Sequence, residues 1–188
     1  MPGTTAKTLA ILCAGAVLAG CAGSQTPVMS TTSRTNWDPK TLTYAASKGG
    51  MPVEIKGAAF AGDPSGMDAA VTSGLARSVN NVRLPFFTER PEGYTGPYRV
   101  VMLFNPAEGA ALQHLCARDL PSRGASGDRV DVTAAYCAAD KMVTRVSGRV
   151  AGADSPQSPQ FQNLMTDVGL GLFLGGNRDQ DAPGVFDG

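Results

Sequence analysis

Three observations predict an α+β fold: an antiparallel or mixed sheet of four to five strands with two helices packed on one face. Short segments alternate apolar and polar residues around one almost continuously apolar run. Two longer segments carry apolar residues at helical spacing. The order is strand, helix, several strands that include a hairpin, then helix.

The first strand is Met51-Pro52-Val53-Glu54-Ile55-Lys56, which alternates as a half-buried strand does, with Pro52 marking its start or a sheet edge. After a turn region over 57–66, in which Asp63 or Ser65 could cap a helix, Met67, Val71, Leu75 and Val79 recur every four residues with Ala70 and Gly74 beside them. That is one helical stripe facing a core, ended by Asn80-Asn81. A short strand is expected within 82–87. Tyr98 to Phe104 is apolar nearly throughout and suits a central strand covered on both faces, stopped by Asn105-Pro106. Ala110 to Arg118 is ambiguous between strand and helix, and 121–128 reads as irregular loop. Val130, Val132, Ala134 and Tyr136 share one face of a strand over 129–137. Met142, Val146 and Val150 align in a second strand, and Ala138-Ala139-Asp140 between them makes a hairpin. Beyond Pro156 and Pro159, Phe161, Leu164, Met165, Val168 and Leu172 form the stripe of the second helix. Trp37 to Tyr44 reads as the start of the domain, which spans 37–174, and 175–188 as a polar tail.

A chain of 188 residues fits one domain, and 43% hydrophobic with 17% charged residues is globular rather than disordered composition. Sixteen basic side chains balance sixteen acidic ones, so no basic excess exists to neutralise phosphates, and nucleic acid is not an expected partner.

Catalytic templates fail one by one. Gly62-Asp63-Pro64-Ser65-Gly66 has the wrong spacing for a nucleophile elbow, and a Ser-His-Asp triad would have to use His114, the single histidine, beside Leu112 and Leu115. Asn177, Asp179 and Asp181 resemble the start of a calcium loop, but Ala182 and Gly188 stand where its sixth-position glycine and twelfth-position glutamate belong. No catalytic residue, metal site or cofactor is expected. Glu54 and Lys56 read as the polar face of a strand. Phe86, Phe87 and Tyr94 read as core, with an exposed aromatic patch as the alternative.

The N-terminus carries a different signal. Lys7 and the amine form a short positive region, Thr8 to Val17 an apolar stretch too short to span a bilayer, and Leu18-Ala19-Gly20-Cys21 follows. The string resembles the lipobox of bacterial lipoproteins. The resemblance implies a signal peptide over 1–20, cleavage before Cys21, and a diacylglyceryl thioether on that cysteine, each buried methylene contributing about 0.8 kcal/mol to membrane attachment. Ala22 after the cysteine, with no aspartate there, implies an outer-membrane anchor with the domain in the periplasm. Residues 21–36, polar and unpatterned, read as the acylated cysteine and a flexible tether. Lys7 would leave with residues 1–20.

On that reading Cys13 is removed and Cys21 is acylated, which leaves Cys116 and Cys137 in an oxidising compartment, where a pair usually bonds. A loop of this length would stabilise by about 3 kcal/mol on the chain-entropy model. A metal or catalytic thiol is the alternative, since His114 lies two residues before Cys116.

Anchor, tether and a domain without recognisable catalytic residues together suggest a non-enzymatic envelope lipoprotein. Its expected partners are the membrane, through lipid on Cys21, and another envelope component. A lipid- or glycan-binding domain using the groove between helices and sheet is the second reading, and an unrecognised hydrolase the third.

Overall fold

A computed structural model of the chain describes residues 26–174 apart from 35–36, 63–64, 80, 126 and 128. The expected signal peptide, Cys21, Asp63 and the tail over 175–188 lie outside the described residues. The elements are β1 (Val28–Arg34), α1 (Lys40–Ser47), β2 (Met51–Lys56), α2 (Met67–Arg77), β3 (Phe86–Phe87), β4 (Tyr98–Phe104), β5 (Arg129–Ala138), β6 (Lys141–Ala151) and α3 (Pro159–Phe173). The class is α+β, as the residue pattern predicts. Among the described residues the sheet has six strands rather than four to five, in the order β1-β6-β5-β4-β2-β3, and there are three α-helices rather than two. β2 runs parallel to β3 and β4, and the other neighbours are antiparallel, so the sheet is mixed.

The two unexpected elements are those whose sequences carry little apolar pattern. β1 falls inside the segment read as a tether and begins the domain well before residue 37. It pairs with β6 from Val28↔Arg149 to Arg34↔Thr144. An edge strand needs one neighbour only, so polar residues suffice to form it. In α1, Leu42 and Ala45 are the only buried residues, and the Asp38 carboxylate accepts the Lys40 amide at 2.9 Å at its start. Of 82–87, only Phe86–Phe87 is strand, and 110–118 is a turn with a 3-10 segment at Leu112–His114.

One face of the sheet carries the main core. Val53, Val100, Met102, Phe104, Val130, Val132, Ala134 and Tyr136 meet Val71 and Leu75 of α2 and Phe161, Leu164, Met165 and Val168 of α3. Leu42 and Ala45 of α1 join the same core. The helices cross closely because both lack side chains at the crossing. A Cβ on Gly74 would lie 2.4 Å from Met165 Cβ, and one on Gly169 would lie 2.2 Å from Ser78 Oγ. Gly66, at φ 85°, precedes α2 with no side-chain cap, so Ser65 does not take the expected role. Ser158 caps α3 by accepting the Phe161 amide, and Pro159 follows at the first turn.

The expected hairpin forms, with Ala139 left-handed at φ 49° in its turn. One alignment within it fails. Tyr136 and Cys137 are adjacent in β5, yet their partners are Thr144 and Met142, so Val143 is the extra residue of a bulge. The bulge shifts Met142 off the Val146 and Val150 face and onto the opposite one, where it packs against the smaller cluster that includes Cys137.

That opposite face is only half roofed. Over β4 and the distal part of β5, the segment following Asn105 lays Leu112, Leu115 and Cys116 onto Val101, Leu103 and Ala135. Cys116 and Cys137 are disulfide-bonded, with Cα atoms 5.7 Å apart. Over β1, β6 and the beginning of β5 no described segment covers the face in the same way: it borders a cleft, with Val28 and Arg149 exposed and Asp131 and Thr133 buried beneath it.

Candidate functional site

The open half-face is built by strand register. Across three strands, Val28, Arg149 and Asp131 stand in one row, and Ser30, Ser147 and Thr133 in the next. Arg145 stands one step further along β6, because alternate residues of a strand share a face. The Thr133 and Ser147 hydroxyls are hydrogen-bonded at 3.0 Å. These rows border a cleft of about 350 Å³ that is also lined by Pro106 and Arg123.

Asp131 is the centre of the arrangement. Its side chain is only 11% exposed, and a buried carboxylate requires charged or hydrogen-bonding partners. Arg149 donates from Nε to Oδ1 at 3.1 Å, Arg123 donates from Nη2 to Oδ2, and Arg129 Nε lies 3.2 Å from Oδ2. Among the described residues, three guanidiniums around one carboxylate leave two positive charges in excess. All three arginine side chains are between 45% and 61% exposed, so each offers charge to solvent. The Arg145 Nε is shielded and has no hydrogen-bond partner among the described residues.

Asn105 assembles this cluster from three parts of the chain. It ends β4 in the left-handed region, at φ 46°, a conformation asparagine tolerates better than most residues. Its backbone amide donates to the Asp131 carbonyl at 2.8 Å, its Oδ1 accepts the Asp131 amide at 3.1 Å, and its carbonyl accepts the Arg123 amide at 2.8 Å. The Nδ2 group donates to the Ala58 carbonyl at 2.7 Å. A bridge between Pro106 and Ser122 closes the base of the intervening loop, which sets Arg123 beside Asp131.

Of the residues singled out from the sequence, Cys116 and Cys137 come together as the expected disulfide, which removes Cys116 as a nucleophile or metal ligand in this state. His114 is exposed in the 3-10 segment next to it. Phe86, Phe87 and Tyr94 are half-buried: Phe86 packs on Phe173, Phe87 packs edge-on against Tyr94, and the Tyr94 hydroxyl donates to the Gly50 carbonyl at 3.0 Å. Burial raises the Tyr94 phenol above its ordinary pKa, with Arg90 working in the other direction. Glu54 pairs with Arg99 at 3.1 Å and Lys56 with Asp119. The Lys56 ammonium, by hydrogen bond and by charge, holds the Asp119 carboxyl below its usual range.

Sequence reasoning passed over Asp131, Arg123, Arg129, Arg149 and Asn105. A signal was present: a carboxylate flanked by Val130 and Val132, with arginines on the alternate positions of the following strand, becomes one charged row once the hairpin is in register.

No protein-family model matches this sequence, and no curated protein matches it. Among solved structures, the PelC dodecamer from Paraburkholderia phytofirmans is similar at 14% identity and a TM-score of 0.43, over 78% of this chain and 98% of that one. A dodecamer of a methionine variant of the same protein is similar at 12% identity and a TM-score of 0.39, over 77% and 95% of the two chains.

Proposed function

We propose that this chain is a lipid-anchored, non-enzymatic binding module of the bacterial cell envelope, and that it binds through the open half of its sheet. The observation carrying this reading is the Asp131 cluster. Three partly exposed guanidiniums are held in fixed positions by one buried carboxylate at the edge of a cleft, a construction suited to recognition. The resemblance of Leu18-Ala19-Gly20-Cys21 to a lipobox supplies the anchor, and the Cys116–Cys137 disulfide fits an oxidising, extracytoplasmic compartment. The space between helices and sheet, the alternative place for a lipid, is filled by Val71, Leu75, Phe161 and Met165, all fully buried.

The test is metabolic labelling with a palmitate analogue, combined with in-cell photo-crosslinking from Ser147 in the cleft and from Ser73 on α2. The reading expects label on the native chain and none on Cys21→Ala, with a crosslinked envelope component from position 147 only. Equal labelling of both chains would remove the anchor at Cys21. Equal crosslinking from both positions, or none from 147, would remove the binding face.

A further inference from the structure

We infer that the cleft beside Asp131 is a carboxylate-recognition site that takes an acidic sugar unit, with Arg123 and Arg149 as the ligand-contacting cations and Asp131 as the positioning residue. The inference rests on the reading of this half-face as the binding surface and names the chemistry it selects.

Charge points to an anion. Among the described residues one carboxylate faces three guanidiniums, an excess of two positive charges, and Asp131 does not exhaust the guanidiniums that surround it. Arg149 reaches Asp131 through Nε alone, and Arg123 through Nη2 alone, while each guanidinium has five N–H donors. The terminal nitrogens of Arg149 make no hydrogen bond among the described residues, and those nitrogens have the fork geometry that carboxylates accept in pairs. Asp131 orients the forks and cannot be displaced easily, because its amide and carbonyl are both tied to Asn105.

Shape and lining point to a sugar. About 350 Å³ lies within the range of small-molecule sites and exceeds what a lone carboxylate or phosphate needs. Beside the cations stand the hydroxyls of Ser30, Thr133 and Ser147, which can both donate and accept, and the apolar surfaces of Val28 and Pro106. A pyranose bearing a carboxylate presents the counterpart of each: an anion for the cations, a rim of hydroxyls for the hydroxyls and an apolar C–H face for the apolar surfaces. A free phosphate would use the cations and leave the rest of the cleft without a role.

The test is calorimetric titration of the full chain in detergent micelles with three probes: an oligogalacturonate, the matching neutral oligogalactoside, and sodium phosphate. Binding of the oligogalacturonate alone is expected. Arg149→Ala and Arg123→Ala should each weaken it at least about tenfold, the loss of one charge-assisted pair. Arg149→Lys should fail to restore it, since an ammonium keeps the charge without the fork. Arg77→Ala, on α2 and bonded to Gln162 and Thr166 of α3, should bind like the native chain. Phosphate binding as tightly as the saccharide would replace the sugar by a phosphate-bearing ligand and overturn the inference. So would equal weakening by Arg77→Ala, which marks diffuse attraction. Failure of both anions, with crosslinking from Ser147 intact, would overturn the ligand class and leave the binding face standing.

Discussion

Asn105 and Asp131 are joined by two hydrogen bonds: the Asn105 amide donates to the Asp131 carbonyl at 2.8 Å, and the Asp131 amide donates to Asn105 Oδ1 at 3.1 Å. The residue that ends β4 therefore fixes where the buried carboxylate of β5 stands, and through its own carbonyl it fixes the backbone of Arg123. Replacement by alanine would remove the side-chain oxygen and leave the buried Asp131 amide unsatisfied while straining a left-handed backbone. Asn105→Ala should lose about 2–4 kcal/mol, read as a lower urea midpoint at unchanged slope; Asn105→Gly, which relieves the backbone strain, should lose less.

Asp131→Asn tests the carboxylate itself. The shape is kept, but three guanidiniums lose their common counter-charge and repel one another. With arginines about half exposed, solvent screening limits the effect, and a loss of about 1–3 kcal/mol is expected in urea denaturation. Stability unchanged within about 0.3 kcal/mol would mean that the cluster contributes nothing to the fold.

The helix crossing predicts the opposite kind of sensitivity, to added atoms. Gly74→Ala would place a methyl 2.4 Å from Met165 Cβ, with Met165 backbone atoms at 3.2 and 3.3 Å behind it, so the side chain alone cannot yield. Overpacking of this kind costs about 1–3 kcal/mol, more than the helix propensity that alanine gains over glycine. Thermal unfolding should show the midpoint fall. A rise would show that α2 can move away from α3 freely.

Tyr136 sets an alkaline limit. Its phenol is fully buried, and that burial raises its pKa above the ordinary value near 10, with the Thr41 hydroxyl acting in the other direction. The unfolded chain then ionises first, so it binds fewer protons than the native state above that pH. Stability is complete below about pH 10 and falls as pH rises beyond it. Tyr136→Phe should flatten that alkaline limb in urea midpoints measured from pH 8 to 11 while leaving neutral-pH stability within about 1 kcal/mol. The same limb in both chains would assign it elsewhere.

The disulfide gives a prediction on a separate part of the sheet. Cys116→Ser with Cys137→Ser should lose about 3 kcal/mol relative to the oxidised chain, and dithiothreitol should lower the native midpoint to match the double variant. No response to reductant would mean that the bond is absent in solution.

The strongly periodic elements were legible from the residues because each buries a continuous face: α2, α3, β4 and the β5–β6 hairpin. β1 and α1 were not. Val-Met-Ser-Thr-Thr-Ser-Arg carries no apolar alternation, and its place in the sheet depends on the register of β6, more than a hundred residues further along the chain. Met142 was assigned to the wrong face because a bulge breaks period two, and the extra residue, Val143, looks like any other valine. The site was hidden for a related reason. Arg123, Asp131 and Arg149 acquire common meaning only when the hairpin pairs and Asn105 closes the loop. The disulfide, by contrast, needed only counting once the N-terminal resemblance had accounted for the other two cysteines.

β1 is at once the outermost strand and a wall of the cleft, and it is the part of the sheet nearest the chain's N-terminus. Among the described residues its ladder with β6 is its only strand pairing, so tension applied at Val28 would be borne first by that ladder. Peeling would start at Val28↔Arg149, the pair beside Asp131, and would carry Val28 and Ser30 away from the arginines before any buried helix contact of α2 is disturbed. On the proposed reading of the cleft, a ligand bridging β1 and β5 would resist extraction by force on the N-terminal side, and force would in turn hasten its release.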